Sequence, residues 1–251
     1  MTNSEPGRDT RVHEIFADER LSPLKRYALL AVGTPNLGSL ILYELVVLLC
    51  SWIPGAAGYA IRRMTYRWIL GGMGSGVTVG RNVVIRGGRK IKLGDGVFVD
   101  DHCVLDARGE ADITIEKGVL VARNTVIRAR DGSILIRDGS NIGCNCIIGT
   151  DSRVEIGRDV LIAAYAYVVA GGNHVIDDPD LPIIRQGTRS RGGIQIGDGA
   201  WIGARGTILD GVAIGEGAVL GAHALATKDI PARTIAQGIP AKVTRDRGRS
   251  V

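Results

Sequence analysis

From Val77 onward the chain repeats a pattern of six residues. Steps such as VTVGRN, IKLGDG, VLVARN and VEIGRD place an aliphatic residue third, and a small or acidic residue often follows it. The first residue of the next step is again apolar, so short strands are expected to alternate with turns. No collagen triplet explains the 36 glycines. The sequence therefore predicts a repeat architecture.

Three such steps close one triangular coil, and coils stacked about 4.8 Å apart bury a column of aliphatic side chains. Extra residues follow the third step of successive coils, so stacking should bring all insertions to one edge of the prism. The longest insertion spans residues 168–193 and contains His174. Coils are expected to begin near Ile91, Ile113, Ile134, Val154, Ile194 and Val212.

The last residue of each step is expected in a tight turn with positive φ. Gly, Asn, Asp and His fill most of these positions, and they are the residues that tolerate this conformation. His102 and His223 are therefore interpreted as turn residues, and Cys103 and Cys146, which follow such turns, as core thiols. The predicted turn residues are Asn82, His102, Gly118, Asn124, Gly139, Asn145, Asp159, Gly199, Gly217 and His223.

Residues 1–76 have a different composition and are predicted to be helical. Residues 37–53 are apolar except for Glu44, close to the lower limit for crossing a bilayer, and Pro54 should end this helix. Basic residues flank the run on both sides, which favours two cytoplasmic ends. The next segment predicts an amphipathic helix with an interfacial Trp, suited to lying on a membrane. Its apolar face would hold Ala57, Ile61, Met64 and Trp68, and its other faces Arg62, Arg63 and Arg67.

The sequence thus predicts a lead that associates with the cytoplasmic face of the membrane through residues 27–70, a β-helix over residues 77–230 and a tail over residues 231–251. An apolar helical hairpin packed on a partner subunit is the alternative for the lead. The formal net charge of +5, with basic residues near both termini, fits anionic lipid or phosphate, and no nucleic-acid-binding motif occurs. Four cysteines without metal-ligand or disulfide spacing predict no metal site and a reducing compartment.

The insertion reads GGNHVIDDPDLPI around His174. Its glycines free the backbone, its prolines stiffen the return, and a long loop on a rigid scaffold is a common place for function. An imidazole can take a proton from a hydroxyl at neutral pH and return it to a leaving group. A surface loop whose histidine only bonds its neighbours is equally consistent with the residues alone.

Residues 77–245 resemble the left-handed β-helix of the hexapeptide-repeat acyltransferases. Beyond the repeat, the segments AWIGARGTILDG, GAHALATKDIPA and GIPAKVTR resemble that family's closing coils and tail. The resemblance implies a mainly β, left-handed parallel β-helix and a homotrimer with active sites between neighbouring prisms. It also implies that acetyl-CoA, or another short acyl-CoA, gives its acyl group directly to an acceptor, with His174 as general base and a backbone amide stabilising the oxyanion.

The same resemblance implies a set of binding residues. Small alanines would let the pantetheine arm lie against a coil, and basic side chains would meet phosphates, although Lys228 and Lys242 are equally explained as solvated surface. One carboxylate among Asp177, Asp178 and Asp180 would orient the imidazole or hold the acceptor. Gly143 stands where related sugar acetyltransferases have an acceptor-binding Asn, so Asn141 or Asn145 is expected to substitute. The implied CoA-binding residues are Trp201, Ala204, Ala222, Thr227, Lys228, Lys242 and Arg245.

The predicted function is acetyl transfer to a hydroxyl of a saccharide, lipid-linked if the lead holds the enzyme at a membrane. Two alternatives remain at this point: an N-acetyltransferase acting on an amino sugar, and a non-catalytic β-helix scaffold whose loop binds a partner. A zinc-dependent carbonic anhydrase of similar fold is not expected, since it needs three converging histidines and only His174 of the repeat lies off the turn positions.

Overall fold

The computed structural model describes residues 18–248, so the predicted lead and tail are described only in part. The described chain begins with three helices, α1 (Pro23–Val32), α2 (Leu37–Cys50) and α3 (Gly55–Thr65), followed by a 3₁₀ turn at Tyr66–Trp68. Side-chain oxygens of Ser22 and Asn36 cap α1 and α2 by accepting backbone N–H groups of the first turn. Gly33, with φ 80°, ends α1.

The rest of the described chain is a parallel β-solenoid with three faces. Sheet A has the strand order β1-β4-β7-β10-β13-β16-β19, sheet B the order β2-β5-β8-β11-β14-β17-β20-β22-β23, and sheet C the order β3-β6-β9-β12-β15-β18-β21. The strands are β1 Gly72–Met73, β2 Thr78–Val79, β3 Val84–Arg86, β4 Ile91–Leu93, β5 Phe98–Val99, β6 Val104–Ala107, β7 Asp112–Ile115, β8 Leu120–Val121, β9 Val126–Ala129, β10 Ser133–Ile136, β11 Asn141–Ile142, β12 Ile147–Thr150, β13 Arg153–Ile156, β14 Leu161–Ile162, β15 Tyr167–Ala170, β16 Ile194–Ile196, β17 Trp201–Ile202, β18 Thr207–Ile208, β19 Ala213–Ile214, β20 Val219–Leu220, β21 Leu225–Ala226, β22 Thr234–Gln237 and β23 Lys242–Asp246. Each coil gives one strand to each sheet, which confirms the predicted β-helix; its left-handed sense stays a prediction.

The predicted coil starts lie side by side in sheet A. Ile91, Ile113, Ile134, Val154 and Ile194 are register partners from strand to strand. The pairing extends beyond the predicted limits of the repeat, because Gly72 already pairs with Lys92 and β22 still pairs in parallel with β20. Only β23 runs antiparallel to its neighbour. The coils are therefore spaced as the repeat predicts, with a partial coil added at each end.

All ten predicted turn residues have positive φ, including His102 (61°) and His223 (57°). This confirms their structural role. Tyr165 (62°) and Arg205 (57°) adopt the same conformation although bulky side chains rarely do. They occupy successive turns between sheets B and C, and the Arg205 guanidinium carbon lies 5.4 Å from the centre of the Tyr165 ring. Cys103 and Cys146 are fully buried, as predicted, and burial raises the pKa of both thiols to about 11.

The helical lead covers the open end of the first coil. Asn82 N–H donates to the Ser51 carbonyl at 2.8 Å, as His102 N–H donates to the Arg81 carbonyl one coil later. Arg62 is fully buried; its Nε donates to the Val79 carbonyl at 2.8 Å, and its Nη1 donates to two carbonyls of the lead. The prediction that Arg62 belongs to an exposed basic surface is wrong. The first coil has no preceding coil whose N–H could donate to the Val79 carbonyl, and the buried Arg62 guanidinium donates to it instead.

The lead has a second, exposed apolar face. The buried residues Leu40, Val46 and Cys50 of α2 face the solenoid and α1. The predicted apolar face of the next helix is divided, since Ile61 packs against the core whereas Met64 and Trp68 are exposed. No single helix in residues 18–248 is long and apolar enough to cross a membrane, but α1 and α2 together have sufficient length and composition for a span bent by 63°. The exposed apolar residues of α2 and its end are Leu37, Ile41, Leu45, Leu48, Leu49 and Trp52.

Candidate active site

The long insertion leaves sheet C after β15 and re-enters sheet A at β16. Shorter insertions lie on the same edge, because backbone hydrogen bonds connect Arg108 to Ala129, Arg130 to Thr150 and Asp151 to Ala170. The prediction that all insertions share one edge is confirmed. We call the edge at which sheet C turns into sheet A the C–A edge. We call residues 171–193, which follow β15, the histidine loop.

Asp210 holds the two arms of the histidine loop together. It lies on the C–A edge one coil beyond the loop and is 4% exposed. Its carboxylate accepts the Asn173 side-chain amide at 2.7 Å from the outgoing arm, and the N–H groups of Arg191 (2.7 Å) and Gly193 (2.9 Å) from the returning arm. Sequence reasoning missed this residue. It could have been found in the sequence as an Asp-Gly pair at the position where the other coils carry insertions.

His174 follows Asn173 directly and is thus fixed close to the base of the loop. Its backbone forms an isolated antiparallel bridge with Thr188, and Val175 N–H donates to the Gly187 carbonyl at 3.0 Å. The imidazole is exposed and has no hydrogen bond or ion pair with any residue from 18 to 248. The backbone is therefore held while the side chain stays available to a ligand.

Two of the three loop carboxylates bond within the loop rather than to the imidazole, and the third acid, Asp180, contributes its backbone N–H. Asp177 forms an exposed ion pair with Arg189 at 3.3 Å, and the Asp178 carboxylate accepts the Asp180 N–H at 2.9 Å. Gln186 closes the tip of the loop by donating to the carbonyls of Asp178 and Leu181, both at 2.7 Å. In a single protomer these acids shape the loop, and none of them contacts His174.

A cavity of about 260 Å³ opens beside the returning arm, on the sheet A side. Gly192, Gly193 and Gly211 contribute backbone to its wall, and charged side chains including Arg153 and Arg191 line the remainder. Glu155, which also lines the cavity, is held by Arg137 and Arg153, each at 2.5 Å, and its hydrogen bond to Arg137 raises the pKa of Arg137. Polar and charged groups make up most of the lining of this cavity.

The residues expected to bind CoA separate into three groups. Trp201, Ala204 and Ala222 meet where sheet B turns into sheet C; His223 N–H donates to the Ala204 carbonyl and so stacks the two alanines in successive coils. Lys242 and Arg245 lie on β23, at the end of sheet B. Thr227 and Lys228 follow β21 and are exposed at the C–A edge.

The asparagines expected to bind the acceptor lie with the first of these groups. Asn141 is exposed on sheet B. Leu161 is in register with Asn141 on one side and with Trp201 on the other, so one strand separates Asn141 from Trp201. Asn145 occupies a turn with φ 57°, and its side-chain oxygen accepts Asn124 Nδ2 at 3.3 Å. Within one protomer, sheet C separates these residues from the histidine loop.

Comparison with known proteins supports the same fold and relationship. No family model matches the chain. A Mycobacterium tuberculosis protein named "Probable acetyltransferase" is 36% identical over 166 residues, covering 66% of this chain and 52% of the relative. The galactoside O-acetyltransferase of Escherichia coli is 36% identical over 102 residues, covering 41% and 48%. The chain thus spans about half the length of these curated relatives.

A solved structure gives the corresponding likeness in three dimensions. It is AntD, an N-acyltransferase from Bacillus cereus in complex with dTDP and 3-hydroxybutyryl-CoA, with a TM-score of 0.51, 19% identity, and coverage of 80% of this chain and 92% of that one. At this identity the likeness concerns the fold. The six-residue repeat, the three-faced parallel solenoid and the sequence relatives lead to the same conclusion. The chain is a hexapeptide-repeat β-solenoid protein whose homologues are acetyltransferases of that family.

Proposed function

We propose that this protein transfers a short acyl group, acetyl in the first instance, from acyl-CoA directly to a hydroxyl of a saccharide. The observation that carries the proposal is the exposed imidazole of His174 on a loop whose base is fixed by Asp210. The imidazole takes the hydroxyl proton as the oxygen attacks the thioester carbonyl. The tetrahedral intermediate then releases CoA thiolate, which receives that proton from the imidazolium.

The placement of the remaining residues supports a site completed by a neighbouring copy. His174 and Lys228 lie on the C–A edge, whereas Trp201, Ala204 and Ala222 lie on the opposite border of sheet C. A thioester cofactor that contacts both groups therefore needs two prisms side by side, with the loop of one copy facing the sheet B side of the next. A closed ring of three copies makes each such contact equivalent.

Similarity to the galactoside O-acetyltransferase supports a sugar hydroxyl as acceptor. The decisive experiment is His174→Ala, measured as CoA thiol release from acetyl-CoA with a panel of glycans. Turnover is expected to fall by about 10²–10⁴-fold, the usual contribution of a general base. His223→Asn is the matched control, because Asn also tolerates the positive φ of that turn and turnover should stay unchanged.

Two results would contradict this function. Unchanged turnover in His174→Ala would remove the proposed base, and an absence of acetyl-CoA consumption with every acceptor would favour the scaffold alternative. Alkaline treatment of the product separates the two acyl transfers: a sugar ester is hydrolysed, whereas an N-acetyl amide survives. A stable product would therefore move the proposal from a hydroxyl to an amino-sugar acceptor.

The location we propose is the cytoplasmic face of a membrane, with the outer face of α2 in contact with lipid. Its five exposed apolar residues lie on one side of the helix, opposite the buried side, and Trp52 follows its end; the exposed Arg63 and Arg67 near Trp68 would meet anionic headgroups. Removing the whole lead is a poor test, because it also removes Arg62 and Ser51 from the first coil.

Point substitutions separate the two roles of the lead. Leu45→Gln with Leu48→Gln should weaken binding to phosphatidylcholine–phosphatidylglycerol vesicles in a flotation assay, since each leucine side chain loses about 1.5–3 kcal/mol of apolar burial in lipid. Ile184→Gln changes an apolar residue of the histidine loop that is more exposed than either leucine, and it is expected to bind like the unaltered protein. Equal flotation of all three proteins would refute this location.

A further inference from the structure

Sheet C carries charged side chains in register on its outer face, at the end near the helical lead. Strands β3, β6 and β9 place Arg86, Asp106 and Arg128 as direct neighbours, about 4.8 Å apart from strand to strand. The residues before them, Ile85, Leu105 and Ile127, point into the core and are buried, so the charged residues point outward. We call Arg86, Asp106, Arg108 and Arg128 the arginine ladder.

The ladder has more positive than negative charge. Asp106 is 3% exposed, and Arg108 binds both of its carboxylate oxygens, at 2.8 and 2.6 Å. Arg86 and Arg128 flank this closed pair, and neither has a hydrogen bond or ion pair with a residue in the described range 18–248. The ladder thus contains three guanidinium groups and one carboxylate, which is bound by Arg108 alone.

The adjacent part of the lead does not neutralise this excess. Glu44 on α2 is an acid on this side of the ladder, since Glu44 and Arg86 both act electrostatically on Tyr27; Glu44 accepts the Tyr27 hydroxyl at 2.7 Å, which raises the pKa of Tyr27 to about 12. Counting Glu44, the ladder still has a net positive charge. A purely structural ion pair needs only Arg108, so Arg86 and Arg128 are available for an external anion. Their planar donors match the oxygens of phosphate in pairs.

The ladder lies between the lead and the histidine loop. On one side, Gly87 N–H donates to the Ala31 carbonyl at 3.0 Å, which fastens the end of β3 to α1. On the other side, only β12 separates β9 from β15, and its residue in register between Arg128 and Val169 is Gly149. No side chain therefore stands between Arg128 and the strand that leads into the histidine loop, a separation of about 10 Å or two strand spacings.

We infer that the arginine ladder binds the phosphate or diphosphate ester of the saccharide acceptor, and that the acceptor's other substituent is an apolar chain. This inference rests on the proposed acyl transfer to a saccharide. The chain would lie in lipid beside α2, the phosphate would contact Arg86 and Arg128, and the sugar would extend along sheet C toward His174. A soluble sugar nucleotide offers the same diphosphate chemistry without the chain.

The test is direct binding without acyl-CoA, using farnesyl phosphate below its micelle-forming concentration as the probe. The unaltered protein should bind it saturably, and Arg86→Gln with Arg128→Gln should weaken binding at least tenfold, because charge-assisted hydrogen bonds to the phosphate are lost. Arg123→Gln is the matched control: this exposed arginine lies at the other border of sheet C and pairs with Asp100 at 3.2 Å. Thermal unfolding of each variant confirms that the fold is retained.

Additional ligands distinguish the sources of the phosphate. Farnesol should bind much more weakly than farnesyl phosphate, and inorganic pyrophosphate should bind more weakly but with the same loss in the double variant. Pyrophosphate binding as tight as farnesyl phosphate would overturn the lipid-linked source in favour of a soluble diphosphate. Binding that is absent in the unaltered protein, or equal in the double variant, would overturn the anion site.

The binding assay also separates this inference from the proposed function. His174→Ala should bind farnesyl phosphate like the unaltered protein, since the imidazole is not part of the ladder. If binding depends on Arg86 and Arg128 while no acetyl transfer is found, the ladder stands and the proposed reaction falls. If His174-dependent transfer is found but binding does not depend on these arginines, the reaction stands and the ladder falls.

Discussion

The role of Asp210 at the base of the histidine loop leads to a quantitative prediction. Asp210→Ala removes one nearly buried carboxylate that accepts three hydrogen bonds, two from backbone N–H groups and one from Asn173. Within residues 18–248 the Arg191 and Gly193 N–H groups have no other acceptor. The variant should therefore loosen both arms of the loop without altering the coils on either side.

The size of the effect follows from these contacts. A hydrogen bond to a charged group contributes about 1.5–3 kcal/mol, so three of them set a ceiling on the order of 5–9 kcal/mol. The observed loss will be smaller, because an open loop exposes its freed donors to water and the penalty cannot exceed the free energy that keeps the loop closed. A loss of about 3–4 kcal/mol corresponds to a 10²–10³-fold increase in the open population.

Amide hydrogen exchange of Arg191 and Gly193 measures this population directly. Both amides should exchange about 10²–10³ times faster in Asp210→Ala. In Asn173→Ala, which removes a single contact and keeps both backbone bonds, the increase should be about tenfold. Asp229→Ala is the control, because within residues 18–248 that carboxylate accepts a single N–H, that of Ala213 on the same edge. Exchange in Asp210→Ala within threefold of the unaltered protein would refute the assignment of Asp210 as the residue that closes the loop.

Three further predictions concern the lead and the core. Arg62→Met should lower the free energy of unfolding by about 3–5 kcal/mol in urea titrations, because buried carbonyls of the lead and of Val79 lose their donor. Iodoacetamide at mildly alkaline pH should label the half-exposed Cys144 in the native protein and leave Cys103 unlabelled until unfolding, since burial raises the pKa of Cys103 to about 11. Stability that depends on Tyr27 should be fully present below pH 10 and be lost as pH rises toward 12, because its hydrogen bond to Glu44 raises the folded-state pKa; Tyr27→Phe should remove this part of the pH dependence in alkaline unfolding curves.

The coil architecture could be predicted because every coil repeats the same local information. An apolar third residue and a turn residue at the sixth position recur often enough that the register of Ile91, Ile113, Ile134, Val154 and Ile194 could be predicted before any contact was known. Tyr165 and Arg205 show where this reasoning ends. The period assigns them to turns, but residue preference opposes a positive φ, and their stacking across two coils depends on contacts that neighbouring sequence does not encode.

The candidate site was predictable in part. His174 is found from its insertion alone, because a break in a regular repeat is visible in one dimension. Asp210 is not, because it lies 37 residues from Asn173 and its role exists only when the next coil stacks beneath the loop. The arginine ladder could not be predicted for the same reason. Arg86, Asp106 and Arg128 are about twenty residues apart, and only the strand register makes them neighbours.

The lead shows why composition alone does not say which environment an apolar helix meets. A run as apolar as α2 satisfies the criteria both for a membrane helix and for a helix buried on a core, since both environments select the same residues. The structure divides it by face: Leu40, Val46 and Cys50 are buried inside the protein, and the opposite side stays exposed. Covering the first coil requires only the buried side, together with Arg62 and the Ser51 carbonyl. A cap without another function would have a polar outer face, as terminal repeats of solenoids do. The six apolar residues that α2 and its end expose instead are therefore the part of the lead that the fold itself does not explain, and they are where the membrane proposal has to be tested.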